Sequence, residues 1–231
     1  VLNTMATLKE QGFEKVGFVA ANVSDVPWFK DILNYGKDLG MRVSVSSLAV
    51  ETLSQEVMGL LRTLGAQQLT LAVEHGDEKV RKQLGKPFSD EDLINTLKAA
   101  EALGYRGVKL YFINGITPNW RFNAESANKL LNDIRKAVKM SIKVSASVFV
   151  PKPGTAMKDE AFPSEQLVDM ERKMLLSNSA GISFAFEPYW EAQKEFVMSR
   201  LSPEDLPTFV SILNEKGERK AIQFFSEKYS N

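Results

Sequence analysis

Short apolar runs rich in β-branched residues alternate along this chain with segments whose apolar residues recur at helical spacing. The runs predict six buried strands, at residues 15–20, 41–46, 68–73, 107–113, 142–150 and 181–186. The segments between them predict helices, among them residues 26–39, 53–64, 90–103 and 124–138. Strands joined through helices of this length pair in parallel by right-handed crossovers, which makes the fold class α/β. About six strands favour a partial (β/α)6 TIM-like barrel slightly over a doubly wound sheet, although periodicity does not separate the two.

The two ends of the chain depart from this alternation. The first predicted element is a helix at residues 2–11, so we expect that a first strand is missing. A first residue of valine rather than methionine suggests a processed chain or a fragment. After residue 186 the alternation stops, and residues 202–231 predict two helices, at 203–215 and 219–228, with Gly217 as the break. We therefore expect a partial barrel over residues 1–201 and a C-terminal helical segment, residues 202–231, packed on the barrel.

Charge and cysteine content exclude several classes of function. Lysine plus arginine and aspartate plus glutamate both number 29, so no basic excess supports non-specific nucleic-acid binding. No apolar run approaches the roughly 18–20 residues that span a bilayer, and the first residues lack a signal-peptide pattern. We therefore expect a cytoplasmic protein with no membrane partner. The chain has no cysteine, which excludes disulfides, thiolate metal sites and a thiol nucleophile.

Candidate site residues follow the first three predicted strands, because parallel β/α folds bind ligands at the carboxyl ends of their strands. Ser24 and Asp25 follow the first strand and could hold an anion or a ligand amine, or simply cap the next helix. Ser47 ends the second strand and could likewise contact a ligand or serve only in a cap or turn. Glu74 and His75 end the third. The carboxylate could accept two ribose hydroxyls, bind an ammonium group or form a structural salt bridge, and His75 could carry a proton.

The fourth and fifth strands add further candidates. Lys109 lies inside an apolar run, where a lysine needs a partner, and we expect an ion pair across the barrel interior with Glu74. An outward-facing lysine and a Schiff-base lysine are the alternatives. Tyr111 and Gly115 lie near the end of the same strand. The fifth strand ends in Val150-Pro151-Lys152-Pro153, whose extended backbone would offer carbonyl and N–H groups to a planar ring such as adenine.

Familiar catalytic motifs do not identify the chemistry. Phosphate-binding glycine loops, the GxSxG elbow and the HExxH zinc motif are all absent. His75 is the only histidine, which makes a metal site or a serine hydrolase triad a poor interpretation.

Four segments carry a more specific pattern. They are Glu74-His75-Gly76-Asp77 with Arg81, the acidic helix start at residues 90–92, VKLYFINGI at residues 108–116 and VFVPKPGT at residues 148–155. Together they resemble the middle of a radical S-adenosylmethionine (radical SAM) enzyme, of the subgroup often fused to a cobalamin-binding domain and related to methylthiotransferases. The resemblance covers roughly residues 13–201.

This resemblance implies a partial (β/α)6 barrel in which a [4Fe–4S] cluster cleaves S-adenosylmethionine and the resulting radical abstracts a hydrogen atom from a substrate. The Ser24–Asp25 loop would face the methionine amino group, and Glu74 would lie near the ribose or methionine. Gly115 would pack beside the adenine, whose edge would meet the Val150–Pro151 backbone. The full set of candidate cofactor-binding residues is Ser24, Asp25, Ser47, Glu74, His75, Lys109, Tyr111, Gly115, Val150 and Pro151.

The chain also departs from the family pattern. The three cysteines of CxxxCxxC are missing, and the resemblance implies that they lie upstream of Val1. A glutamate after the fourth strand and an arginine after residue 47 are missing too. We therefore expect a SAM-binding portion of a radical SAM enzyme, inactive alone, with cobalamin possible and the substrate unknown. A non-catalytic β/α scaffold or binding module and a Lys109 barrel lyase are the alternatives.

Overall fold

The computed structural model describes residues 1–20, 23–178 and 180–230. This part of the chain forms six strands and ten α-helices, with short 3₁₀ turns at Val23–Asp25 and Val50–Thr52. The strands are β1 (Lys15–Phe18), β2 (Arg42–Val45), β3 (Gln68–Glu74), β4 (Gly107–Asn114), β5 (Ser141–Val148) and β6 (Ser183–Phe186). The helices are α1 (Leu2–Glu10), α2 (Phe29–Asp38), α3 (Gln55–Thr63), α4 (Glu78–Gln83), α5 (Asp90–Ala102), α6 (Trp120–Ala137), α7 (Glu165–Asn178), α8 (Tyr189–Met198), α9 (Leu206–Lys216) and α10 (Glu218–Ser230).

All strand pairs are parallel and follow the order of the chain. β1 pairs with β2, and β3, β4, β5 and β6 form a second sheet in that order. A parallel bridge between Leu48 and Leu71 joins the segment after β2 to β3. Sequential parallel order is the order of a β/α barrel. Among the described residues no strand closes β6 onto β1, so the fold is α/β with a partial, open barrel, as predicted.

The two faces of the main sheet differ in burial. Val108, Leu110 and Phe112 of β4 are buried against the helices, whereas Lys109 and Tyr111 are only half-buried on the opposite, inner face. Alternate side chains of a strand point to opposite faces, so the helices cover one face of the sheet and the inner face stays open. In a closed barrel this inner face would be the lumen.

Helix starts follow local capping chemistry. Ser54 caps α3 by accepting the Val57 N–H, and Ser89 and Asp92 form a reciprocal capping box at the start of α5. The predicted start of α2 near residue 26 is wrong, since the helix begins at Phe29 after a turn that contains Pro27. Three helices, α4, α7 and α8, were not predicted from the pattern.

A second apolar cluster lies at the C-terminal end of the chain. It joins α8, α9 and α10 through Phe196, Phe209, Ile222 and Phe225. Because Phe196 precedes residue 202, the division of the chain at residues 201 and 202 stays a prediction. None of the described helices is long and apolar enough to cross a membrane.

Candidate functional site

Glu74 occupies a strained position at the carboxyl end of β3. Its φ is 68°, in the left-handed region that is costly for a non-glycine residue, and the β3–β4 register shifts between Ala72 and Glu74. The side chain is half-buried, and burial raises the pKa of its carboxyl group, against the opposing charge of Lys86. Strain of about 1–3 kcal/mol that the surrounding structure maintains is typical of ligand-binding positions.

His75 lies on the helix side of the sheet and does not share an open rim with Glu74. Its Nδ1 accepts the Asp77 N–H at 2.9 Å, and its Nε2 lies 3.2 Å from Asn123 Oδ1. These partners fit a neutral ring with the proton on Nε2. The ring is 2% exposed and packs 5.7 Å from Phe122, and burial lowers the pKa of His75. Both ring nitrogens are thus engaged inside the protein, and contact with a cofactor stays a prediction.

Glu171 is a buried carboxylate that the sequence analysis missed. It accepts hydrogen bonds from Asn114 Nδ2 at 2.7 Å, the Gly115 N–H at 2.9 Å and Asn123 Nδ2 at 3.0 Å. Burial raises the pKa of its carboxyl group, and these hydrogen bonds oppose the rise. Its position between Val168 and Leu175, on the buried stripe of α7, was the signal that could have found it. The network fixes the end of β4 against α6 and α7.

Lys109 does not pair with Glu74, and that expectation is wrong. Its Nζ donates to the Tyr111 hydroxyl at 3.0 Å and lies 4.5 Å from the centre of that ring. The strand register explains the separation. Lys109 lies beside Thr70, four residues before Glu74, which is about 13 Å along a strand.

The loops after β1 and β2 are tied to each other. Ser24 is buried, and its Oγ accepts the Ala49 N–H at 3.2 Å. Neither Ser24 nor Asp25 caps α2, whose N-cap position is Trp28. Asp25 is exposed and Ser47 half-buried. Residues 21 and 22 of this loop lie outside the described residues, and ligand contact by Ser24, Asp25 and Ser47 stays a prediction.

Gly115 is enclosed by protein on the side where a side chain would stand. Its φ is 75°, and a Cβ would lie 2.7 Å from Pro163 Cβ. That side therefore holds Pro163 and has no room for a planar ring, so an adenine beside Gly115 would have to approach from another direction. Pro151 is buried, whereas Val150 is half-buried.

A cavity of about 410 Å³ lies at the carboxyl ends of β4 and β5, beside the strand that carries Glu74. The end of α4 and the loop after β5 complete its walls. An ion pair between Lys152 and Glu195 forms part of its margin. Its volume is in the range of small-molecule sites. Its walls combine apolar with charged side chains, namely Leu84, Ile113, Val150 and Met157 with Lys152, Glu187 and Glu195.

The described residues contain no group of three or more His, Cys, Asp or Glu side chains that could hold a metal ion. A [4Fe–4S] cluster is bound through cysteine thiolates, and the chain has none. The residues of this chain therefore do not fit the cluster.

Two proteins of known sequence are similar to most of this chain. No family model matches the chain. An uncharacterized protein of Methanocaldococcus jannaschii is 30% identical over 166 residues, which are 70% of this chain and 36% of that protein. Cytidylyl-2-hydroxyethylphosphonate methyltransferase of Streptomyces wedmorensis is 26% identical over 184 residues, 75% of this chain and 34% of that enzyme. The chain thus spans about a third of the length of these curated relatives.

Solved structures place the fold in a definite class. The Escherichia coli coproporphyrinogen III oxidase HemN, a radical SAM enzyme, superposes with a TM-score of 0.55 at 13% identity, over 76% of this chain and 42% of HemN. Streptococcus suis SuiB superposes with a TM-score of 0.55 at 12% identity, over 87% of this chain and 46% of SuiB. HydG, a maturase of the [FeFe]-hydrogenase, superposes with a TM-score of 0.51 at 12% identity, over 85% of this chain and 46% of HydG. The fold of this chain is therefore the partial barrel found in radical SAM enzymes.

Proposed function

We propose that this chain is the S-adenosylmethionine-binding part of a radical SAM enzyme. The observation that carries the proposal is Glu74, a strained, half-buried carboxylate at the carboxyl end of β3, the strand beside β4, whose end lines a cavity of about 410 Å³. When bound and reductively cleaved, S-adenosylmethionine supplies a radical that abstracts a hydrogen atom from substrate.

Different residues of the chain bind different parts of S-adenosylmethionine. The cavity at the ends of β4 and β5 takes the adenosine, with apolar contacts from Ile113 and Val150 and backbone groups of the same strand end at the adenine edge. The Glu74 carboxylate accepts hydrogen bonds from the ribose hydroxyls or from the methionine ammonium group. The Ser24–Asp25 loop lies toward the amino group.

The iron–sulfur cluster requires ligands from outside this chain. We propose that a cysteine motif elsewhere in the complete protein supplies them, and that the chain alone is inactive. The segment at residues 148–155 supports the cobalamin-associated subgroup. The relative named as a methyltransferase of a small molecule supports a small-molecule substrate.

Isothermal titration calorimetry of the purified protein with S-adenosylmethionine tests the proposal. We expect Glu74→Gln to weaken binding by about tenfold to a hundredfold, because a charge-assisted hydrogen bond contributes about 1.5–3 kcal/mol. Glu91→Gln, an exposed carboxylate on α5, is the matched control and should leave affinity unchanged. Absence of saturable binding, or equal affinity for the wild type and the Glu74→Gln variant, would contradict the proposal.

A second candidate is a non-catalytic nucleotide-binding module, which the absence of cysteine from the chain favours. The two candidates differ in iron content. After anaerobic reconstitution, the complete protein should hold about four irons if it is a radical SAM enzyme and none if it is a module. The third alternative, a Schiff base at Lys109, predicts a borohydride-stable adduct on that lysine with a carbonyl compound.

A further inference from the structure

Two lysines lie side by side on the open inner face of the main sheet. The β4–β5 register places Lys109 beside Lys143, and Thr70 and Ser183 flank them on β3 and β6. Neighbouring strands are about 4.8 Å apart, so the two side chains leave the sheet next to each other. Lys109 is half-buried and Lys143 exposed, both on the face away from the helices.

This pair of cations has no carboxylate beside it. Like charges directly across neighbouring strands destabilise a sheet. None of the ion pairs formed by the described residues includes either lysine. The residues of β3 and β6 that lie in register with this lysine pair are Thr70 and Ser183, and those in register with Tyr111 and Ser145 are Ala72 and Ala185. All four are uncharged. Lys109 and Lys143 therefore carry positive charge that no ion pair of the described residues neutralises, and the carboxylate Glu187 lies further along the same sheet.

Hydroxyl groups continue the site toward the carboxyl ends of the strands. The Lys109 ammonium reaches along β4 to the Tyr111 oxygen, which accepts its hydrogen bond and leaves the phenol O–H able to donate. Ser145 stands beside Tyr111 in the register. Further along the strands lies a cavity of about 290 Å³, lined by Tyr111, Ser145, Ser147 and Glu187, and the two lysines stand outside it, toward the amino ends of β4 and β5.

We propose that this inner-face site binds a phosphate or phosphonate group of the substrate, and the inference rests on the proposed function because the substrate would enter the same barrel. A phosphoryl group carries about 1.5–2 negative charges and three acceptor oxygens. Two ammonium groups and the hydroxyls of Tyr111 and Ser145 match that charge and number of oxygens. A carboxylate would leave one of the two cations unbalanced.

Calorimetric titration of the purified protein with methylphosphonate, inorganic phosphate and acetate tests the site. We expect saturable binding of both phosphorus oxyanions and weaker binding of acetate. Lys109→Gln and Lys143→Gln should each weaken phosphonate binding about tenfold, or about 1.4 kcal/mol, because each removes one charged hydrogen-bond donor, and Lys143→Arg should restore it. Tyr111→Phe should weaken binding about threefold. The exposed helix lysine variant Lys98→Gln should bind as the wild type does.

Three results would overturn the inference. They are no saturable binding of the oxyanions, equal binding of acetate, and equal loss in the Lys98→Gln variant, which would indicate only a general charge effect. S-adenosylmethionine binding, measured on the same samples, separates the two proposals. If the oxyanion binds and S-adenosylmethionine does not, the proposed function fails and the anion site stands. If S-adenosylmethionine binds and the oxyanions do not, only the proposal of the anion site is contradicted.

Discussion

At the level of single residues, the Glu171 carboxylate holds the end of β4 in place. Its two oxygens accept three hydrogen bonds, from Asn114, Gly115 and Asn123. In Glu171→Gln an amide N–H would face one of these donors, and we expect a loss of about 2–4 kcal/mol in the free energy of unfolding. Urea unfolding measures it. Asp169→Asn, exposed on the same helix, should change stability by less than about 0.5 kcal/mol, and an equal effect in both variants would contradict this role.

His75 makes stability depend on pH in a definite direction. Burial lowers its pKa below the ordinary value, so the unfolded chain takes up a proton at a higher pH than the folded protein does. The stabilising contribution is complete above about pH 6.5 and is lost as pH falls through the folded pKa.

The difference in unfolding free energy between wild type and His75→Gln isolates this contribution. We expect that difference to shrink as pH falls from about 7.5 to 5, because only the wild type loses stability through this group. Chemical denaturation at a series of pH values measures it. Burial raises the pKa of Glu74 and Glu171, but both carboxyls are present in both proteins and cancel in the difference. A difference independent of pH would show that His75 is not held neutral.

At the level of elements, α6 lies almost in contact with the backbone that follows β3. A Cβ on Gly76 would stand 2.2 Å from the Ala127 nitrogen, a helix backbone atom that cannot move aside. We expect Gly76→Ala to lower stability by about 3 kcal/mol through overpacking. Gly59→Ala, in α3 with open space around it, should instead raise stability by about 0.5–1 kcal/mol. Thermal and urea unfolding of both variants measure these changes in stability. A loss of stability well below about 3 kcal/mol in Gly76→Ala would show that α6 can shift to make room for the methyl group.

At the level of the whole molecule, the described residues form one large core and two smaller apolar clusters, and one of the smaller clusters lies in the last three helices. Phe225 is buried in that cluster, while Leu110 lies in the main core. We expect Phe225→Ala to reduce amide hydrogen-exchange protection in α8–α10 and to leave β3–β5 protected, because cooperative units follow such clusters. Leu110→Ala should lower protection in the sheet. Equal loss in both regions of the Phe225→Ala variant would show a single cooperative unit.

Local chemistry was enough to predict most of the elements. Apolar runs predicted the six parallel strands, because strands buried between layers need continuous apolar sequence. Ser89 and Asp92 predicted the start of α5, because the two residues of a capping box are three positions apart. The missed helix α7 has a weak apolar stripe that is interrupted by Glu171, so its periodicity did not stand out.

The candidate site was predictable only in part. Glu74 could be placed at a strand end from sequence, but its left-handed backbone and its separation from Lys109 depend on the register of β3 and β4. Glu171 lies 57 residues along the chain from Asn114 and 56 from Gly115, which donate to it, so its place on the buried stripe of α7 could indicate its burial but not its partners.

The sequence by itself determined the α/β class, the parallel pairing of the strands and the exclusion of a thiolate-held cluster within this chain, because these follow from periodicity, crossover geometry and composition. Only the tertiary structure decided which face each strand side chain occupies, that His75 is enclosed while Glu74 stays accessible, and that Lys109 and Lys143 stand together. The physical reason is that register and layer packing arise from contacts between distant segments, and a shift of one residue reverses every side chain of a strand.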